Sequence, residues 1–386
     1  MGWQKSSVIE ERLRFVVLAN GQERRMKELC AEFGISRQTG YVWLKRYQEG
    51  GSGEMRDRSR RPLRSPKRTA RELEQGIVEL RQQWPDWGAA KLARVLGQQQ
   101  PDSLLQPRTV HRILERYGLI ELADRRQRAV KRFERSAPNE LWQMDFKGPQ
   151  RGQRGGAVGP LSVIDDHSRY VLALQHLGST RLDGVRRTLT EIFQQAGLPE
   201  AMLMDHGTPW WNAASPWGFT ELSIWIMRLG IRLTYSGICH PQTQGKVERM
   251  HGALQRAIRK RKADPENQQW LDGFRHEYNH LRPHEALQMA TPASLWKPST
   301  RAFPTHLTDW EYPPSAHCRL LGGDGQLGWY GRRWEISNAL RGQLVGIEPI
   351  EDRAVVYFCR TPIRELDLKT GTATPVIGLP IRSLQG

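Results

Sequence analysis

Cysteine is scarce and unpaired along the chain. Four cysteines in 386 residues (Cys30, Cys239, Cys318, Cys359) stand far apart, and no CxxC pair occurs. That excludes a disulfide framework or a Cys-rich zinc module and fits a reducing compartment. Long apolar runs are missing too. No stretch reaches the ~18 residues of a membrane span, and the N-terminus lacks a charged-then-apolar leader. A soluble, cytoplasmic protein without a membrane partner is therefore expected. Acidic side chains are in deficit, 41 against 58 Lys and Arg, for a net charge of +17. Such a field favours polyanions. The excess is uneven: residues 1–136 hold 29 basic and 17 acidic side chains, so +12 of the +17 lies in the first third. Nucleic-acid affinity should concentrate there. The length suits two to four domains rather than one core.

What is present begins with helices. Apolar spacing predicts helices over about Val8–Leu18 and Arg24–Phe33, with Gly34 at the turn and Ser36 capping a third helix through Tyr47. Helix, glycine turn and capped basic helix make a helix-turn-helix pattern, placed at residues 1–49. Arg37, Gln38, Thr39 and Lys45 are its candidate DNA-facing residues. Residues 50–68, rich in Gly, Ser, Pro and Arg, read as an extended basic linker whose Arg60 and Arg61 suit phosphates or a minor groove. A second helical module at 69–120 is expected over Arg71–Gln83, Gly88–Leu96 and Pro107–Tyr117. Arg108, Thr109 and Arg112 are its candidate groove contacts. Two modules in tandem imply a bipartite site on double-stranded DNA. A further basic connector fills 121–137.

The character changes over residues 138–298. Strand-like runs occur at Leu141–Lys147, Leu161–Asp165, Arg169–His176, Ala201–Met204 and Ile231–Tyr235. Helical spacing runs from Leu182 to Ala196, closed by Gly197 and Pro199, and again over Phe219–Leu229 and Gln244–Arg261. Three strands joined by tight turns, followed by strand–helix alternation, predict a mixed five-stranded sheet covered by helices. Residues 299–386 carry short apolar runs (Gln326–Tyr330, Arg333–Ile336, Gln343–Ile347, Ala354–Phe358) and read as a small β domain.

Three carboxylates come from separate elements of that middle region. Asp145 lies in Leu141-Trp142-Gln143-Met144-Asp145-Phe146, and Asp205 ends Ala201-Met202-Leu203-Met204-Asp205. Glu248 opens the helix that follows His240-Pro241-Gln242-Thr243-Gln244-Gly245-Lys246-Val247. Val247, Met250, Leu254 and Ile258 form a buried stripe on that helix and leave Glu248 at its border. With Ile164-Asp165-Asp166-His167-Ser168-Arg169-Tyr170, Asp205-His206-Gly207-Thr208-Pro209 and Tyr278-Asn279-His280-Leu281-Arg282-Pro283-His284 in order, these segments resemble the core of bacterial insertion-sequence transposases related to retroviral integrases.

The resemblance implies a multidomain protein. Its parts are all-α helix-turn-helix modules, an α/β ribonuclease H-like catalytic core at 138–298, and a small C-terminal β domain. It also implies an Asp-Asp-Glu triad on Asp145, Asp205 and Glu248, which would be both catalytic and metal-ligating. Clustered carboxylates repel unless cations sit between them. Two Mg²⁺ ions, with Mn²⁺ as substitute, about 3.5–4 Å apart, would relieve this and polarise a phosphate. The implied activity is cleavage of a mobile element's inverted ends to a 3′-OH, then transesterification into target DNA. It would be carried out by at least a dimer on DNA, in a bacterial cytoplasm and at the nucleoid.

Two departures from the family's pattern bear on the site. Asp205 and Glu248 are separated by 42 residues, longer than the compact integrase spacing, with the extra length around Trp210–Trp217. Seven positions after Glu248, where integrase-like cores often carry a basic residue, stands Gln255; Lys246, His251 and Arg256 are the nearby candidate DNA contacts.

Other readings compete. His276-Glu277-Tyr278-Asn279-His280 matches HExxH, the zinc-protease signature, though Pro283 soon ends the helix. Asp165 and Asp166 sit where turn residues are normal. Trp210 and Trp211 suit either stacking on unpaired bases or loop packing. A non-catalytic DNA-binding regulator derived from a transposase, or a metal-dependent nuclease without strand transfer, remain the alternatives.

Overall fold

The computed structural model describes residues 8–22, 24–57, 69–101, 104–120, 134–148, 159–212, 218–235 and 245–376. The chain divides into two compact units, Met1–Thr69 and Ala70–Gly386. Arg60 and Arg61 lie outside the described residues, as do the connector through 133 and the segment from His240 to Gln244.

In the first unit, α1 (Val8–Asn20), α2 (Met26–Glu32) and α3 (Arg37–Gly50) close around Phe15, Val16, Leu29 and Cys30. The Ser36 side chain accepts the backbone N–H of Thr39 at 3.1 Å, which caps α3 as its position predicts. Gly40 lets α3 approach closely: a β-carbon there would stand 2.7 Å from Cys30 Sγ and 2.9 Å from Phe15 Cζ. The extended-linker expectation fails over its first part. Gly51–Met55 forms a 3₁₀ turn, and Met55 is fully buried in this small core. The chain is tied there by Arg12, which donates to the Met55 carbonyl at 2.9 Å and to Asp57 at 2.8 Å. One apolar side chain with a nearby arginine suffices to fold a stretch whose composition is otherwise that of a spacer.

The second unit opens with α4 (Arg71–Gln83), α5 (Ala89–Gln99) and α6 (Pro107–Arg116), packed through Ile77, Leu80, Trp87, Leu92, Leu96, Val110 and Ile113. Pro107 stands in the first turn of α6. Gly118, just past that helix, takes the left-handed conformation with φ +66°.

Beyond it lies a mixed sheet of β1 (Trp142–Phe146), β2 (Leu161–Asp165), β3 (Val171–Gln175), β4 (Ala201–Met204) and β5 (Arg232–Tyr235), in the order β3-β2-β1-β4-β5. The first three strands pair antiparallel, while β4 joins β1 and β5 joins β4 in parallel. This is the mixed five-stranded sheet that the strand pattern predicts. Helices cover both faces. α7 (Leu182–Ala196) and α8 (Glu221–Arg228) share a core with Trp142, Met144, Met202 and Met204. α9 (Gly245–Arg261) and α10 (Gln268–His276) pack on Ile164, Val171 and Leu174.

The C-terminal region folds as an antiparallel sheet in the order β12-β11-β10-β9-β6, with a separate β7–β8 hairpin. Its strands are β6 (His317–Leu320), β7 (Gln326–Trp329), β8 (Arg332–Glu335), β9 (Leu344–Ile350), β10 (Arg353–Phe358), β11 (Thr361–Asp367) and β12 (Thr372–Pro375). β6 and β12 escape the apolar-run reading because they bury no residue, and β11 because Arg364, Glu365 and Asp367 break up its apolar positions. Position 298 is not a break in packing. Leu198 N–H donates to the Arg301 carbonyl at 2.7 Å, Ser299 N–H to that of Ala196 at 2.7 Å, and Phe303 lies against Phe193. One hydrophobic core runs from the mixed sheet into the β region.

Candidate active site

The three carboxylates converge at the junction of β1, β4 and α9. β1 and β4 run parallel with Gln143 opposite Leu203, so Asp145 and Asp205, each two residues further on, leave the same end of the sheet. α9 packs across β1 and β2, and Val247 N–H donates to Gln143 Oε1 at 3.4 Å. That places Glu248 in the first turn of α9, exposed, with Val247, Met250, Leu254 and Ile258 buried beneath it. Their mutual field is evident at Asp145. Burial, the Asp205 charge and the Glu248 charge push its carboxyl up to about 7, against the partial relief of a backbone hydrogen bond and Lys147.

Neighbouring groups flank two of the acids, Asp205 and Asp145. Asp205 Oδ1 accepts the Gly207 N–H at 2.9 Å and the Trp210 indole N–H at 2.8 Å. A β-carbon at Gly207 would stand 2.9 Å from Asp205 Oδ1, so a larger residue there would displace the carboxylate. Trp210 is buried and stacks on Phe146 at 5.4 Å, so its ring is spent on packing and its N–H on the carboxylate rather than on unpaired bases. Trp211 meets His206 and Tyr235 edge-on. Behind Asp145, His251 bonds Ser162 Oγ through Nε2 at 2.8 Å and turns Nδ1 toward Asp145 at 3.8 Å. Burial and the nearby Lys147 push its imidazole down to about 3.

Two of the candidate DNA residues have partners within the protein. His251 is buried beneath the acids and supports Asp145. Lys246 is paired to Asp166, whose side chain is fully buried and also accepts Gln143 Nε2 at 2.8 Å and Arg135 N–H at 2.9 Å. Asp166 thus pins the start of α9 to β1. Asp165 is a turn acid as expected, accepting Ser168 N–H and Oγ and Asn139 N–H at 2.6–2.7 Å. Lys147, Ser162 and Gln143 are site neighbours that the sequence reading did not single out.

Arg256 is half-buried on α9. Arg37, Gln38 and Lys45 lie exposed on α3, as do Arg108 and Arg112 on α6; Thr39 and Thr109 are partly buried, and the Thr39 hydroxyl shares a hydrogen bond with Ser36. The HExxH segment is no protease site. Glu277 is buried and held by Arg261 and Trp87, and the chain leaves α10 there in a wide π turn over Glu277–Leu281. Among the described residues no three His, Cys, Asp or Glu side chains stand together closely enough to hold a metal ion. The side chains of Asp145, Asp205 and Glu248 offer only carboxylate oxygens as donors. That suits a hard cation sharing its shell with water and phosphate better than it suits a closed protein cage. No described helix is long and apolar enough to cross a membrane.

Comparison with known proteins agrees with this architecture. A helix-turn-helix domain matches residues 11–62 and a homeodomain-like domain residues 39–114. The integrase core domain matches residues 135–241 and 229–292. An uncharacterized protein of Caenorhabditis elegans is 31% identical over 204 residues, which take in 48% of this chain and 15% of that protein's length. Among solved structures, the magnesium-bound catalytic core domain of HTLV-2 integrase (trimeric form) is 14% identical with a TM-score of 0.32, covering 42% of this chain and 97% of that one. The simian T-cell lymphotropic virus intasome in complex with the PP2A regulatory subunit B56 gamma is 17% identical with a TM-score of 0.36, covering 79% and 100%. The catalytic core of BIV integrase is 21% identical with a TM-score of 0.31, covering 40% and 92%. At these scores the superpositions are loose, and strand order rather than superposition defines the fold. By these matches the chain carries an integrase core domain with helix-turn-helix domains on its N-terminal side.

Proposed function

We propose that this protein is a DNA transposase. It binds the inverted ends of a mobile element through its helical modules, hydrolyses the end to a 3′-OH, and joins that hydroxyl to target DNA by transesterification. The observation that carries the reading is the convergence of Asp145, Asp205 and Glu248 at one end of the β1–β4 pair, where burial first and the charges of Asp205 and Glu248 second raise the Asp145 carboxyl.

Asp145, Asp205 and Glu248 would hold Mg²⁺, with Mn²⁺ in its place, and when bound the ions supply neutralisation of phosphate charge and activation of the attacking oxygen. The protein's own residues do the rest. The Trp210 N–H and Gly207 N–H fix one oxygen of Asp205 and leave the other free to face the phosphate. His251 and Ser162 form a neutral backing that keeps Asp145 in place without placing a positive charge behind it. The Lys246–Asp166 pair fixes the first turn of α9, and with it the height of Glu248 above the sheet. The exposed faces of α3 and α6 read the ends through Arg37, Gln38, Arg108 and Arg112. Bringing two ends together requires at least two protomers on DNA.

The test uses a labelled duplex of a native inverted end, a plasmid target and Mg²⁺ or Mn²⁺, with wild type beside Glu248→Gln. Metal-dependent nicking and joined product are expected in wild type, lost in the variant while end binding persists. End binding without cleavage by either protein establishes the regulator reading instead; nicking without joining establishes a nuclease.

A further inference from the structure

The second helical module is fastened to the catalytic core by four buried or half-buried charges. The loop between α4 and α5, Trp84-Pro85-Asp86-Trp87-Gly88, reaches the far end of α9 and the turn after α10. One oxygen of the fully buried Asp86 carboxylate accepts Arg261 Nε at 3.1 Å, and the other accepts Arg282 Nη1 at 2.8 Å. The Arg261 guanidinium continues to Glu277, with Nη2 to Oε1 at 2.8 Å, and that oxygen also accepts the Trp87 indole N–H at 2.9 Å. Lys91 on α5 donates to the Pro283 carbonyl at 2.6 Å. Trp84 and Trp87 stack at 4.8 Å, with Arg261 over the first ring and Arg282 over the second. Asp86, Trp87 and Lys91 belong to the module; Arg261, Glu277, Arg282 and Pro283 belong to the core.

Two carboxylates and two guanidiniums cancel in charge, so the cluster adds no long-range attraction. An apolar contact of the same area would hold as well. What directional, buried ion pairs add is one permitted geometry. The place of attachment gives that geometry a consequence. Arg261 is the last residue of the helix whose first turn carries Glu248. At 1.5 Å per residue the two stand about 20 Å apart along a continuous rod. α6, with Arg108 and Arg112 exposed, contributes nothing to the cluster and stays available to DNA.

We infer that Asp86 is a positioning residue, locking the second module to the end of α9 so that the fold itself sets the number of base pairs between the module's DNA site and the phosphodiester that is cut. This rests on the transposase reading above. Proteins whose reading modules hang on open tethers tolerate a shift between site and cut; here a shift of one base pair, about 3.4 Å, exceeds what a rigid dock absorbs.

The experiment uses the full chain and native-end duplexes into which one or two base pairs are inserted between the footprint of the second module and the natural cut, the nicked strand being read at nucleotide resolution. Wild type should cut at a single position displaced by the length of the insertion, following the module. Asp86→Asn, with secondary structure checked by circular dichroism, should still bind the duplex but cut at several adjacent positions that no longer follow the insertion. Should that variant fail to fold, Trp87→Phe keeps an aromatic side chain in the stack, removes the N–H to Glu277 together with part of the ring, and should widen the cut distribution in the same sense. Wild-type cutting that stays at the natural junction whatever is inserted overturns the inference. So does a folded variant that keeps one displaced cut. Absence of cleavage on every duplex defeats the transposase reading and this inference with it, whereas cleavage that ignores spacing defeats this inference alone.

Discussion

At the scale of single residues, the site is defined as much by what surrounds its acids as by the acids themselves. The Trp210 indole N–H holds Asp205 while its ring stacks on Phe146. Trp210→Phe should keep an aromatic ring against Phe146 and lose the hydrogen bond, together with part of the buried ring. Loss of such an outer contact typically costs about 10–100-fold in metal affinity or activity. We therefore expect a folded variant whose cleavage needs markedly more Mg²⁺ for half-maximal rate; a titration that superimposes on wild type would refute the role. Asp145, Asp205 and Glu248 are legible in the sequence because each sits in a local pattern, two at strand ends and one in the first turn of an amphipathic helix. Trp210 is not. Its tryptophan is visible, but whether it faces bases, core or carboxylate depends on the turn that carries Gly207. His251 illustrates the same limit: helical spacing places it on the Glu248 side of α9, and only the packed sheet shows that Ser162 lies beneath it.

At the scale of elements, α9 is placed by charge as well as by its apolar stripe. That stripe is readable from period alone, and the helix ends at Arg261 as predicted. The pairing of Lys246 with Asp166 spans 80 residues of sequence and is not readable; a lysine two residues from the glutamate proposed to be catalytic looks like a phosphate contact. The two roles make different predictions. Lys246→Ala leaves a fully buried Asp166 without its cation, and breaking a buried pair in this way costs about 3–5 kcal/mol. Thermal melts should show a large loss in Lys246→Ala, and a smaller one in the double variant Lys246→Met with Asp166→Asn, because the uncompensated charge is gone. A Lys246→Ala protein that melts like wild type and binds DNA more weakly would return this residue to the DNA surface.

At the scale of the whole molecule, the second unit has continuous packing where the sequence offers several separable blocks. Composition marks changes at 138 and 299 because core strands, linkers and turn-rich β segments differ in residue usage, not because packing stops there. The β region closes over the edge of the mixed sheet. Arg360 pairs with Glu200 at 2.7 Å, Leu233 N–H donates to Thr361 Oγ1 at 3.3 Å, and Arg301 binds the Gly230 carbonyl at 2.9 Å. Cutting the chain at 298 would expose Phe193 and Trp225 along with the β5 edge, an apolar surface joined to open backbone groups. A fragment of residues 134–298 should therefore aggregate or bind a hydrophobic dye, whereas 134–376 should melt in one cooperative transition. A soluble, cooperatively folding 134–298 fragment would show the β region to be an independent domain. The docked second module adds a pH dependence of definite sign. Burial raises the Asp86 carboxyl, but Arg282 and Arg261 more than offset it, and the net shift is downward. A folded-state value below the unfolded one contributes stability that is complete above about pH 4 and is lost as pH falls through the folded value. Glu277, Arg261, Arg282 and Lys91 are the other charges facing this site. Hydrogen exchange of the backbone around Trp84–Gly88 should therefore be unchanged between pH 5 and 8 after correction for intrinsic rates. It should rise below pH 4 in wild type, before the exchange of β1 and β4, whereas Asp86→Asn should show the rapid exchange at every pH. Loop and sheet opening together in both proteins would mean that the cluster merely follows the fold of the core instead of holding the module to it.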